Sequence, residues 1–125
     1  FVTPAAAMAI GLVGGGLCYA AVTMLKPRFG YDDTLDVFGI HGIAGTWGTL
    51  ATGIFASIGA SGLLHGNPGL LLKQAIGASV TIVLSAAGTL AILKVVDMTI
   101  GIRVTTEEEI QGLDLTQHEE SGYTM

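Results

Sequence analysis

Three stretches of this chain are too long and too apolar to lie in water. Phe1 to Leu25 holds no charged residue, Val37 to Leu72 holds none, and Gln74 to Leu93 holds none between Lys73 and Lys94. A membrane-crossing helix needs about 20 such residues to span ~30 Å of hydrocarbon. Lys73 and Lys94 stand 21 residues apart, about 31 Å of helix at 1.5 Å per residue, so each ammonium can reach an opposite interface. The rival is a soluble, glycine-rich helical core. It fails on area, because 125 residues offer too little interior to cover three such runs.

Composition agrees. Charged residues make up 12% of the chain, against roughly 25% in soluble domains, and the mean hydropathy is +0.66. There are 19 glycines without a G-X-Y period, which excludes collagen and suits helices whose backbones approach closely in a bilayer. Residues 1–103 carry all five bases and four acids, net +1; residues 104–125 carry six acids and no base, net −6. No basic stripe is available for nucleic acid. The lone Cys18 can form neither an intrachain disulfide nor a zinc site by itself. HExxH, a phosphate loop with its Lys, and GxSxG are all missing, so no enzyme signature is present. Neither cofactor nor metal is expected.

The punctuation predicts helices over about 4–26, 35–58 and 68–104, with a tail over 105–125. Thr3-Pro4 and Asn67-Pro68 each place a capping residue before a proline, a favoured helix opening. Lys26 to Asp33 reads as a charged connection, and Asp32, Asp33 and Asp36 suit the positive end of the next helix. Gly59, Gly62, Gly66 and Gly69 mark the second loop. Bases cluster in the first loop (Lys26, Arg28) and after the third run (Lys94, Arg103), which marks both as cytoplasmic. Residue 1 then lies outside. A chain that begins mid-run at Phe1 is expected to be the carboxy-terminal piece of a larger multi-pass protein.

The second run opens Asp36-Val-Phe-Gly-Ile-His41-Gly-Ile-Ala-Gly-Thr-Trp-Gly48. His41, Gly45, Thr49 and Gly53 recur every four residues, one face of a 3.6-residue helix. Gly42, Gly45, Gly48 and Gly53 are read as helix-packing positions, with the imidazole as the projecting group. His41 lies five residues past Asp36, about 7.5 Å along the axis, hence within hydrocarbon. An ionisable group at that depth is a functional candidate, suited to proton relay or to recognition of a small polar solute. The plainer reading is a neutral histidine bonded to an adjacent helix. Trp47 is assigned to packing, and His65 and His118 to solvent.

The Asp36-to-Gly45 segment, with Tyr31-Asp32-Asp33 upstream, resembles the tenth-helix signature of ammonium transporters of the Amt/Mep/Rh class. Thr23-Met-Leu-Lys26, Gly101-Ile-Arg-Val104 and the tail Glu109-Ile-Gln-Gly-Leu-Asp-Leu-Thr-Gln-His118, ending near Tyr123, resemble family segments in the same order. The resemblance implies an all-α integral membrane fold: the last three of eleven transmembrane helices plus a cytoplasmic tail, within a homotrimer in the cell membrane. It implies ammonium or ammonia as cargo and His41 as one of two paired pore histidines, the other lying on the fifth helix. Val37 matches an apolar pore position, and Asp32, Asp33 and Asp36 fall around the cytoplasmic mouth. Gly112, Asp114 and Thr116 keep regulatory-tail places, the threonine matching a phosphorylation site of plant relatives. Glu119 stands where glycine is usual. A PII-type (GlnK-like) protein is the implied partner. An ammonium sensor of the same architecture and an Rh-like neutral gas channel are the alternatives.

Overall fold

The computed structural model describes residues 1–122; Tyr123, named in the tail resemblance, lies outside the described residues. All regular structure among them is helical. The chain forms two compact units, Phe1–Val83 and Leu84–Met125.

The first helix runs Pro4–Phe29, three residues beyond the expected end at 26. Thr3 caps it, its hydroxyl accepting from Ala6 N at 3.3 Å. Its last turns widen into a π-turn over Ala21–Leu25, where the Lys26 N–H reaches back five residues to the Ala21 carbonyl. Pro27 has no N–H to return to the ladder and its ring crowds the carbonyl four residues earlier, so a widened turn just upstream accommodates it. Gly30 ends the helix at φ +59°, a left-handed position that glycine takes without penalty.

The second helix occupies residues 37–55, shorter than the expected 35–58. It opens with a second π-turn, Phe38–Gly42, and continues as regular helix over Ile43–Phe55. It lies antiparallel to the first, with contacts pairing Phe1 with Ser57 and Ile58, Ile10 with Trp47, and Cys18 with Ile40. Trp47 seals the middle. Its indole N–H donates to the Ile10 carbonyl at 2.9 Å, and a Cβ on Gly14 would stand 3.3 Å from its ring. After a 3₁₀ turn at Leu63–His65, Asn67 caps the third helix by accepting from Gly69 N at 3.1 Å.

The third helix is Pro68–Thr99. The expected end near Val104 is corrected: Ile100 N and Gly101 N both close on the Val96 carbonyl, and Gly101 turns left-handed at φ +77°. Among the described residues two helices, Pro4–Phe29 and Pro68–Thr99, are long and apolar enough to cross a membrane. The second helix interleaves glycines, threonines and His41 with its apolar residues. The third helix has no buried residue, and Leu72, Val83, Leu84 and Leu90 stand open. Side chains of this kind need lipid or further helices around them.

In the second unit the tail folds as two short helices, Thr106–Gln111 and Leu113–His118. Thr105 and Glu108 form a reciprocal capping box, so this glutamate is a cap rather than part of a merely solvated run. The backbone N–H of Thr105, then its hydroxyl, hold the Glu108 carboxyl below the usual carboxylate range, with the Gln117 amide adding to the effect.

Candidate functional site

His41 sits in the π-turn that opens the second helix. Such turns carry one extra residue and occur often at functional sites. The Ile43 N–H reaches back to the Phe38 carbonyl, enclosing the histidine in the widened loop. The ring is exposed and makes no hydrogen bond among the described residues. It lines a groove of about 500 Å³ with Gly42, Gly45, Thr46, Thr49, Gln74 and Thr81. His41, Gly45 and Thr49 therefore share a wall, as their spacing predicts. Thr46 and Thr81 point their hydroxyl protons back to Gly42 O at 2.8 Å and Gly77 O at 2.9 Å. Both threonines line the groove together with Gln74.

The other predicted residues divide. Val37 is not among the residues lining that groove, although it precedes His41 by four. The intervening turn closes i to i+5, so positions four apart no longer stack as on a 3.6-residue helix. Of the four glycines read as packing positions, Gly53 alone meets another helix: an added Cβ would fall 2.8 Å from Leu71 Cα. Gly42 faces the ring of Phe38 on its own turn, and Gly45 and Gly48 have nothing within 4 Å among the described residues. Gly45 lines the groove beside His41, and Gly45 and Gly48 both line a second hollow of about 600 Å³ with Ile10, Gly11 and Thr52.

The three aspartates act on the start of the second helix in different ways. Asp33 caps it with both carboxylate oxygens, accepting from Val37 N and Phe38 N at 2.9 Å each. Asp36 takes the left-handed conformation at φ +54° and pairs with Lys26 at 2.5 Å. Asp32 is exposed. Lys26 also donates to the Asp33 carbonyl at 2.7 Å, tying the end of the first helix to the start of the second. Sequence reasoning missed Lys26, Gly39 and Gln74. The Lys26 side of the pair was visible only as loop charge, and Gly39 and Gln74 gave no signal beyond their place in an apolar run.

In the tail, Gly112 at φ +99° separates the two short helices, and the Thr116 hydroxyl donates to its carbonyl at 3.0 Å. Asp114 lies in the first turn of the second short helix, and its carbonyl accepts from Glu120 N. His65 and His118 are exposed. Among the described residues no three His, Cys, Asp or Glu side chains converge as a metal site requires.

The Ammonium Transporter Family model matches residues 1–123. The chain is 48% identical to an ammonium transporter of Bacillus subtilis (strain 168), across 98% of this chain and 32% of that protein. It is 46% identical to a putative ammonium transporter of Methanothermobacter thermautotrophicus, across 100% of this chain and 32% of the relative. Against ammonium transporter Amt1 of Archaeoglobus fulgidus the identity is 45%, across 99% and 32%. The chain thus spans 32% of the length of each of these curated relatives. All three are named as transporters rather than enzymes.

Proposed function

The chain belongs to the ammonium transporter family, and from that membership we propose that the protein moves ammonium or ammonia across a cell membrane, with His41 as one member of a paired-histidine conduit. The observation that carries the reading is an imidazole that makes no hydrogen bond among the described residues, on the wall of a groove it shares with small residues (glycines, threonines and Ala78) and the Gln74 amide.

The physics sets the mechanism. Carrying bare ammonium through a dry passage has a desolvation cost of order tens of kcal/mol by an idealised Born estimate. Leaving the proton behind removes most of it. Imidazole both donates and accepts near neutral pH, so a pair including His41 hydrogen-bonds ammonia and offers the proton a separate route. In this reading the three helices are the last of eleven in a homotrimer. Asp32, Asp33 and Asp36 surround the cytoplasmic mouth, and the acidic tail, with Gly112, Asp114 and Thr116, receives a PII-type regulator.

His41→Ala in the full-length protein, reconstituted in liposomes, should abolish ammonium-dependent current or admit potassium. Unchanged current and unchanged discrimination in a correctly assembled protein would sink the role of His41.

A further inference from the structure

The two π-turns meet. Gly39, in the turn that carries His41, is buried against Ala21 and Val22 in the π-turn of the first helix. A Cβ built on Gly39 would lie 2.9 Å from Val22 Cγ2, and 3.6 Å from both Ala21 Cβ and Val22 N. Ala21 is 1% exposed, so the seam is closed on that side. The Cys18 thiol donates to the Ile40 carbonyl at 3.5 Å, next to His41. At the other end the Asp33 carboxylate accepts from the Val37 and Phe38 N–H groups, and the Lys26–Asp36 pair ties the start of the helix to the first helix. His41 therefore follows a glycine pressed on one helix and a carbonyl bonded to it, while its own ring makes no hydrogen bond among the described residues.

We propose that Gly39, seated on Val22 where the two π-turns meet, is a positioning residue that sets the direction in which the His41 imidazole faces the conduit. The proposal rests on the reading of His41 given above. A regular helix tolerates alanine better than glycine, so Gly39→Ala improves local propensity and acts only through the seam. The added methyl pushes the turn off Val22 and rotates the ring that follows two residues later. Misplacement on the ångström scale at a reacting group reduces rates steeply, up to about a hundredfold.

The test is carried out on the full-length protein in proteoliposomes, with ammonium current, potassium leak and the pH profile of transport recorded together. Gly39→Ala should lower ammonium current by about tenfold or more, shift the pH profile and admit potassium, at unchanged amounts of assembled protein. Val22→Ala placed in the same chain removes the colliding methyl and should restore all three readouts. Wild-type behaviour of Gly39→Ala beside a defective His41→Ala overturns the positioning role and leaves the conduit reading intact. Silent His41→Ala overturns the conduit reading itself. Failure of Val22→Ala to rescue a defective but assembled Gly39→Ala also overturns the proposal. Should Gly39→Ala fail to assemble, Lys26→Met loosens the same turn from its other end without crowding it. Loss of discrimination restored by Lys26→Arg then supports the proposal, and full discrimination in Lys26→Met overturns it.

Discussion

Glu119 shows how much one residue's conformation can reveal. It lies at φ +53°, where an L side chain crowds its own backbone at a cost of roughly 1–2 kcal/mol. Glycine would hold the same helix-ending position without that cost. The turn is nonetheless formed, and Glu120 N donates to the Asp114 carbonyl at 2.9 Å across it. Glu119→Gly should therefore tighten the tail. Relief of about 1 kcal/mol slows amide exchange at Glu120 about fivefold, measurable by hydrogen exchange. Faster exchange would mean that the glutamate side chain itself holds the turn.

At the scale of the element, the glycines of the second helix separate into two kinds. An alanine methyl at Gly53 would collide with the Leu71 backbone, which cannot turn aside as a flexible side chain can. At Gly45 it would enter open groove. Gly53→Ala should thus lower the thermal midpoint in detergent markedly, while Gly45→Ala leaves the midpoint near wild type and reduces transport by narrowing the groove. Equal midpoints would refute the close approach at Gly53. The first tail helix depends on its cap instead. Since the folded Glu108 carboxyl titrates below its unfolded counterpart, its contribution is complete above the ordinary glutamate range and is lost as pH falls through the lowered value. Helix protection over Thr106–Gln111 should persist at mildly acidic pH, then collapse. In Glu108→Gln that acid step should vanish.

For the whole molecule, the question is what the open surfaces serve. A third helix with no buried residue and a groove beside an imidazole that makes no hydrogen bond among the described residues both call for surroundings that a membrane and further helices supply. The tail contrasts in charge, with six acids and no base over residues 104–125. Removing residues 105–125 should abolish capture of a PII-type protein by the reconstituted transporter while leaving helix insertion intact. Retained capture would place the docking surface elsewhere.

The sequence by itself determined the medium and the elements. Charge-free runs, prolines after Thr3 and Asn67, and a base-free acidic end follow from local chemistry that no partner alters. It also determined that His41, Gly45 and Thr49 share a wall, because four-residue spacing is a property of any helix. What the tertiary structure alone decided is where that periodicity breaks. Packing at the π-turns of Ala21–Leu25 and Phe38–Gly42 brings Lys26 to Asp36 and buries Gly39 on Val22. A widened turn adds one residue to a helix without changing its composition, so periodicity within a single run cannot register it. Only the fit of one helix against another selects it.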